Sequence, residues 1–242
     1  MAPMVLARRT RLRNLTSAKY SVERGRMELE GIRWHYDRHE LIADGIVHGI
    51  GVVLALIGVT ILIFYATVWT TSGQLAAAWI YGLGLLMSLG ISFAYNLWPA
   101  SKVKWVLRRF DHSAIFILIA ATYTPFLQRG LDDPMLAGML IAVWLIAAAG
   151  VALKFLLPGR YDRLAILLYL GMGWSGVIAS GPLSATLSET TIMLIFAGGL
   201  VYSFGVVFYV WQSLRFQSAI WHGFVVAAAG IHYSAVLSCV SA

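Results

Sequence analysis

The sequence contains little charge and a single cysteine. Only 12% of its 242 residues are Asp, Glu, Lys or Arg, and 60% are hydrophobic, whereas soluble proteins carry about 25% charged residues. A soluble protein of this length cannot bury so much apolar sequence in one core. Because Cys239 is the only cysteine, an intrachain disulfide and a cysteine-based zinc cluster are excluded. The composition therefore predicts a multi-pass membrane protein.

Acidic residues are absent from the first 22 residues, which contain five Arg or Lys. Such a start resembles a mitochondrial transit peptide, and a polybasic tail on anionic lipid is the alternative that we favour. Residues 23–43 are compatible with an amphipathic helix on the membrane surface. The net charge of +7 also suits basic segments that flank apolar spans, so we predict no nucleic-acid partner.

Seven apolar segments follow, each close to the roughly 20 residues that a membrane-spanning helix needs. Their short connections predict antiparallel, neighbouring helices and leave no room for a second soluble domain. The sequence thus predicts an all-α, seven-helix transmembrane bundle over 44–242, after the basic tail at 1–43. The predicted spans are 45–69, 75–98, 111–130, 134–157, 163–182, 189–212 and 219–241.

Basic residues fall on alternate connections between these spans. The N-terminal 43 residues carry nine Arg or Lys, and the 2–3, 4–5 and 6–7 connections carry further ones, whereas the other connections carry only Arg129. Positive residues are enriched on the cytoplasmic side of a membrane. We therefore predict a cytoplasmic N-terminus and, with an odd number of spans, an external C-terminus.

Polar side chains gather at the predicted cytoplasmic ends of three spans. Asn96 ends the second span, Asp111 starts the third, and Ser218 and His222 start the seventh. Residues four apart share a helix face, so Ser218 lies beside His222, and Ser92 beside Asn96. Polar groups inside a membrane are costly and are functional candidates. We predict a polar site at these positions, with Asp111 as the catalytic candidate.

Three further histidines are candidate helpers of this site. His48 lies near the cytoplasmic start of the first span, and His112 adjoins Asp111. His232 lies ten residues beyond His222, about 15 Å deeper at 1.5 Å per residue, so these two cannot bind one ion without a break in the helix. Simpler interpretations exist: Asp111 as a helix N-cap, and His222 and His232 as neutral, hydrogen-bonded buried histidines.

Several of these residues lie in recognisable motifs. The run 111–126, Asp-His-Ser-Ala-Ile-Phe-Ile-Leu-Ile-Ala-Ala-Thr-Tyr-Thr-Pro-Phe, resembles the third-helix signature of the hemolysin III family, the bacterial relatives of the progestin and adipoQ receptors. The resemblance covers roughly residues 40–240 and recurs in five helices. The further matches are His48-Gly-Ile-Gly51, Ser92-x-x-Tyr95, Gly198-Gly-x-x-Tyr202, Gly205-Val-Val-Phe-Tyr209, and Ile220-Trp-His222 with His232.

The resemblance implies a zinc ion near the cytoplasmic face of a seven-helix bundle. It implies one histidine ligand from a Ser-x-x-x-His motif in the second helix, two from a His-x-x-x-His motif in the seventh, and an aspartate that contacts the metal through a water. Here Asn96 and Ser218 stand at two of the ligand positions, while His222 and Asp111 remain. Zinc prefers nitrogen and sulfur ligands and usually takes at least three from the protein. We therefore predict no cofactor, or zinc held weakly through His222 and Asp111.

Three classes of function follow from this resemblance. The first is a lipid-binding or receptor-like membrane protein with a modified polar site, whose partners are membrane lipids and a lipid ligand in the bundle cavity. The second is a hydrolase of lipid amides or esters, which requires a retained metal. The third is a pore-forming hemolysin, although pores need a polar lining and these spans are almost free of charge between their ends. We predict the first, in a bacterial inner membrane, with a mitochondrial membrane as the alternative.

Overall fold

The computed structural model describes the chain from residue 37 to residue 241. Within that range the chain forms eight α-helices and one 3-10 turn, at Ser175–Val177, and it contains no β-strand. The helices are α1 (Arg38–Trp69), α2 (Ser72–Leu97), α3 (Lys102–Gln128), α4 (Pro134–Leu156), α5 (Asp162–Trp174), α6 (Ser180–Thr186), α7 (Glu189–Val210) and α8 (Gln217–Ser241).

Six helices in the described range are long and apolar enough to cross a membrane. The short helices α5 and α6 meet at a bend of 59° at the place of the predicted fifth span, and the count rises to seven when this bent pair is taken as one span. The predicted all-α, multi-pass membrane bundle is therefore confirmed. The predicted basic tail and surface helix lie outside the described residues up to residue 36, whereas residues 38–43 form the first turns of α1.

Four of the described helices, α2, α3, α4 and α7, begin at polar caps that the sequence supplies. Thr71 forms a capping box with Gln74 at the start of α2, in which each side chain bonds the other residue's backbone N–H. Asp133 accepts hydrogen bonds from the second and third residues of α4, directly before Pro134. Proline is favoured at the first position of a helix, because its missing N–H would have no partner there. These caps fix the residues at which α2 and α4 begin.

The interpretation of Asp111 as an N-cap is wrong. The cap of α3 is Ser101, whose hydroxyl accepts a hydrogen bond from the backbone N–H of Lys104 at 3.3 Å. Asp111 therefore lies nine residues inside the helix. The basic residues between 102 and 109 form the first turns of α3, whereas their charge had suggested a loop.

Helix α3 lies at the centre of the bundle. It packs against α2, α4, α5 and α8, while α1 packs against α2 and α8. Phe116 and Leu127 of α3 are fully buried in the core, beside Tyr81 of α2 and Leu62 of α1. Large apolar side chains such as Phe64 remain exposed on the outside, as expected for a surface that faces lipid. This packing brings α1, α2, α3 and α8 together, and these are the helices that carry the polar side chains.

The contact between α7 and α8 depends on Gly198. A Cβ atom at this position would lie 2.2 Å from Cδ2 of His232 on α8, closer than nonbonded atoms approach. Small residues allow such close helix approach in membranes. The ring of His232 is fixed by this packing and by a 3.2 Å contact from its Nε2 to the carbonyl oxygen of Ile195.

Gly198→Ala is expected to destabilise the protein by about 1–3 kcal/mol, the usual cost of overpacking. Gly138→Ala on α4 is the matched control, because a Cβ there meets nothing within 4 Å and alanine favours helix formation. Melting of the two variants in the same detergent checks this expectation. Equal melting temperatures would contradict the close packing of His232 on Gly198.

Candidate functional site

Polar side chains from four helices meet where α1 and α8 begin and α2 ends. α1, α2 and α8 each contribute two residues four apart, which share one helix face, and α3 contributes one. The contacts among them are direct hydrogen bonds or short electrostatic interactions, and most of the side chains are shielded from solvent. The members of this polar cluster are Asp44 and His48 of α1, Ser92 and Asn96 of α2, Asp111 of α3, and Ser218 and His222 of α8.

Asp44 is the centre of the polar cluster. Its Oδ1 lies 2.9 Å from Nδ1 of His222, and its Oδ2 accepts a hydrogen bond from the hydroxyl of Ser218 at 3.1 Å. An ionised carboxylate only accepts hydrogen bonds, so Nδ1 of His222 carries the proton of this contact. Asp44 is 4% exposed. Each oxygen of this buried carboxylate therefore has a partner on α8.

His48 lies between Asp44 and the end of α2. Its Nδ1 is 2.8 Å from the backbone carbonyl oxygen of Asp44, and its Nε2 is 3.3 Å from Oγ of Ser92 and 3.4 Å from Nδ2 of Asn96. A carbonyl oxygen only accepts, so Nδ1 carries the proton and Nε2 of a neutral ring accepts. The position predicted to have lost a zinc ligand, Asn96, therefore donates to His48.

Asp111 approaches the same group from α3. Ser92 forms a hydrogen bond with its carboxylate, and His222 and Asp44 interact with it electrostatically. Two helical turns earlier on α3, Lys104 donates from Nζ to the carbonyl oxygens of Asn96 at 3.1 Å and Trp98 at 2.9 Å. These bonds satisfy carbonyl groups at the end of α2, where helices leave their last acceptors unpaired. Lys104 thereby ties the end of α2 to α3.

Glu40 sets the start of α8 relative to α1. Its Oε1 accepts a hydrogen bond from the backbone N–H of Phe216 at 3.1 Å. Phe216 has φ of 58°, a left-handed conformation that is uncommon for a bulky residue. Helix α8 begins at the next residue, and its first turns place Ser218 and His222 opposite Asp44. Glu40, Asp44 and His48 follow each other at intervals of four, so one face of α1 contacts α8.

Asp44 and Glu40 are not among the site residues that the sequence predicts. The predicted first span starts at residue 45, because carboxylates lower the hydropathy of any window that contains them. The signal that would have found them is the spacing Glu40-x-x-x-Asp44-x-x-x-His48, which continues the helical face of His48 toward the N-terminus.

Three residues of the polar cluster have the chemistry of a metal site. Asp44, His48 and His222 each offer one ligand atom, and these atoms lie within 4.8 Å of one another. The two imidazole rings are 4.1 Å apart between centroids. Two histidines and one carboxylate are a ligand set that zinc uses in open sites. This set shares only His222 with the metal ligands predicted from the sequence, since Asp44 and His48 replace Asp111.

Two of the candidate helpers make their contacts elsewhere. His112 lies 3.8 Å from Asp162, between Nδ1 and Oδ1, and its backbone carbonyl accepts a hydrogen bond from Tyr169. His232 packs against Gly198 and Tyr202. Because α8 is continuous from Gln217 to Ser241, His222 and His232 stay on separate levels. Of the three candidate helpers, only His48 lies in the polar cluster.

Known proteins resemble this chain over most of its length. The model of a family described as haemolysin-III related matches residues 36–233. The chain is 37% identical to the Hemolysin-3 homolog of Bacillus subtilis, over 82% of this chain and 93% of that protein. It is 35% identical to Hemolysin-3 of Bacillus cereus, over 82% of this chain and 90% of that protein.

A more distant similarity extends to animals. The human monocyte to macrophage differentiation factor is 34% identical, over 66% of this chain and 68% of its own length. These findings confirm the resemblance that the motifs of α1, α2, α3, α7 and α8 had indicated. The chain is a multi-pass membrane protein, and it belongs to the haemolysin-III-related family.

Proposed function

We propose that this chain is a lipid-binding or receptor-like member of its family, whose polar site lacks the full three-histidine zinc set. Two of the three expected ligand positions hold Asn96 and Ser218, and neutral amide and hydroxyl groups are poor zinc donors. A bacterial inner membrane and a cytoplasmic N-terminus are part of the proposal. The Bacillus relatives support the first, and the alternation of basic connections supports the second.

The observation that carries this proposal is the pairing of Ser218 with Asp44. At a position where the resemblance implies a metal ligand, a hydroxyl donates to Oδ2 of Asp44 at 3.1 Å, while Oδ1 lies 2.9 Å from His222. Buried polar groups are tolerated when they are hydrogen-bonded. The three side chains therefore satisfy one another without an ion.

A divalent metal at Asp44, His48 and His222 would compete with these hydrogen bonds. The ligand types suit zinc, and the spacing of the ligand atoms suits one ion. However, Nδ1 of His222 bonds Asp44, and Nδ1 of His48 bonds the backbone of Asp44. Nε2 of His48 can act as a ligand while its Nδ1–H stays bonded to the backbone. A metal held through Nδ1 of His222, however, requires that nitrogen to lose its proton and its hydrogen bond to Asp44, and this cost is the reason that the proposal expects weak binding.

The donors and acceptors of the polar cluster suit the polar end of a lipid. At one end of a bundle whose outer surface is apolar, the half-buried Asn96 and His222 have an amide oxygen and Nε2 that the hydrogen bonds described above do not use. A hydroxyl or amide in the head group of a lipid can form hydrogen bonds with these groups, while the acyl chains of the lipid contact the exposed apolar side chains. Membrane lipids are therefore the proposed partners.

A metal-dependent hydrolase of lipid amides or esters is the second candidate. The observation that favours it is the position of Asp111, which interacts with His222 beside the Asp44, His48 and His222 group. A metal bound there would supply a Lewis acid and an activated water. Asp111 would then orient a polar group of the substrate. Lipid turnover that is insensitive to chelators and to His222→Ala would remove this candidate.

Asp44→Asn is expected to weaken lipid retention in detergent by about tenfold. A hydrogen bond to a charged group contributes roughly 1.5–3 kcal/mol. The amide that replaces the carboxylate has a single oxygen, so it cannot accept from both Ser218 and His222. Mass spectrometry of the intact protein measures the retained lipid, and Asp132→Asn, at an exposed position, is the control. If both variants retain as much lipid as the wild type, the polar cluster is not the lipid site.

Wild-type protein purified without chelator is expected to contain less than stoichiometric zinc. The double substitution Asn96→His with Ser218→His is expected to bring zinc to about one ion per chain, because it completes three histidines with an i, i+4 pair on α8. Elemental analysis after dialysis measures both, with each single variant as a control. Stoichiometric zinc in the wild type would contradict the proposal. A zinc content that does not rise in the double variant would show that the faces of α2 and α8 that carry Asn96 and Ser218 do not converge.

Pure protein in liposomes is expected to retain an entrapped dye at the level of protein-free liposomes. The polar cluster lies at one end of the bundle, whereas a pore needs a polar lining along its whole length. Dye release that rises with the number of inserted chains would instead support the pore-forming class that the names of the Bacillus relatives suggest.

A further inference from the structure

A second group of charged side chains joins α3, α4 and α5. Asp162, the first residue of α5, accepts hydrogen bonds from Arg108 of α3 and from Lys154 of α4, the latter at 2.7 Å between Nζ and Oδ1. Nδ1 of His112 lies 3.8 Å from the same oxygen. These four residues, Arg108, His112, Lys154 and Asp162, are named the basic cluster.

The basic cluster holds more positive than negative charge. Its two cations are buried, with side-chain exposures of 9% for Arg108 and 3% for Lys154, and they share one carboxylate that is 28% exposed. Burying an unmatched charge costs several kcal/mol unless a counter-ion accompanies it. Asp111 also interacts electrostatically with Arg108, so this cation has two carboxylate partners, whereas Lys154 has only Asp162 among the described residues. A ligand anion would give Lys154 a second partner.

Both cations also have unused hydrogen-bond donors. A guanidinium has five N–H groups and an ammonium has three. Among the described residues, Asp162 is the hydrogen-bond acceptor of both side chains. The guanidinium of Arg108 additionally lies 5.2 Å from the ring centroid of Trp105. Most of these N–H groups therefore have no acceptor among the described residues, and a ligand with several oxygens would supply acceptors.

The basic cluster lies at the edge of the membrane-spanning region. Lys154 lies in the last turn of α4, and Asp162 lies in the first turn of α5. The connection between these two helices contains Gly159, which adopts φ of 79°. A Cβ at Gly159 would lie 3.3 Å from Trp105 and 3.4 Å from Nη1 of Arg108, so the turn packs directly on these two residues. Exposed Arg160 stacks on Tyr161 at 5.6 Å and adds positive charge beside the site.

We propose that the basic cluster binds the phosphate group of an anionic membrane lipid. Arg108 and Lys154 bind the phosphate oxygens, and Asp162 holds the two cations together when the lipid is absent. Basic pockets between membrane helices bind anionic head groups in this way, and arginine and lysine both pair with phosphate. Trp105 and Tyr161 suit the membrane interface, where aromatic side chains concentrate.

Melting of the full-length protein in mixed micelles tests this site. The probes are phosphatidylglycerol, phosphatidylcholine at the same mole fraction, and inorganic phosphate. The variants are Lys154→Gln, which removes a cation, and Asp162→Asn, which removes the competing anion. Arg38→Gln is the control, because Arg38 is an exposed basic residue at the start of α1. Titration of phosphatidylglycerol gives the apparent affinity of each variant.

Phosphatidylglycerol is expected to raise the melting temperature of the wild type above the value in phosphatidylcholine. Lys154→Gln should weaken this affinity by about fivefold, the contribution of one cation near the surface, while Asp162→Asn should strengthen it and Arg38→Gln should leave it unchanged. Lys154→Gln and Asp162→Asn are thus expected to change the affinity for phosphatidylglycerol in opposite directions. This result distinguishes a lipid site from a structural ion pair, because loss of either partner of an ion pair would lower the melting temperature in both lipids.

Three results would overturn the proposal. One is equal stability of the wild type in the two lipids, which needs no variant and therefore applies even if Lys154→Gln fails to fold. The second is a loss of stability in Asp162→Asn and Lys154→Gln that is the same in both lipids. The third is full stabilisation by inorganic phosphate alone, which would assign the site to a soluble phosphate. None of these results depends on the polar cluster or on zinc.

Discussion

A carboxylate buried between the first and the last helix determines how the polar cluster is arranged. Asp44 has a hydrogen-bond partner from α8 on each oxygen. Within a bilayer no water replaces a lost partner, so polar groups must be satisfied inside the protein. This requirement joins α1 to α8, and it orients Ser218 and His222 toward the interior. Glu40 fixes the same pair of helices one turn away, through the backbone of Phe216.

Asp44 affects both metal binding and the stability of the polar cluster. Asp44 is a candidate metal ligand and also the acceptor that satisfies two buried donors. An oxygen engaged with Nδ1 of His222 cannot hold an ion between the same two atoms without loss of the proton. The hydrogen bonds of Asp44 therefore hold α1 and α8 together at this site. In this chain Asn96 and Ser218 supply donors at the positions where imidazoles are implied by the resemblance.

Long apolar runs made the helical membrane bundle predictable, because few other structures bury so much apolar sequence. The i, i+4 pairs Ser92 with Asn96 and Ser218 with His222 were also predictable, and the structure shows each pair in direct contact. Asp44 was not predictable, because hydropathy places a carboxylate outside the membrane. Its partners lie more than 170 residues away on α8, a distance that no local pattern spans.

The break between α5 and α6 has a similar explanation. Gly171, Gly173 and Gly176 weaken helix formation locally, but the residue that stabilises the bend lies on α3. The hydroxyl of Tyr123 donates to the carbonyl oxygen of Gly173 at 2.7 Å and accepts from the backbone N–H of Gly176 at 2.8 Å. The position of the break therefore depends on packing between helices, which the sequence of one segment does not contain.

Helix α3 connects the two charged clusters. Arg108 and His112 are four apart and share the face that meets Asp162, whereas Asp111 extends toward Ser92 and His222. Arg108 interacts electrostatically with both carboxylates. An anion bound at the basic cluster would neutralise part of the field that Arg108 exerts on Asp111. In a low-dielectric interior such fields are weakly screened, so the charge at one cluster affects the other across a single helix.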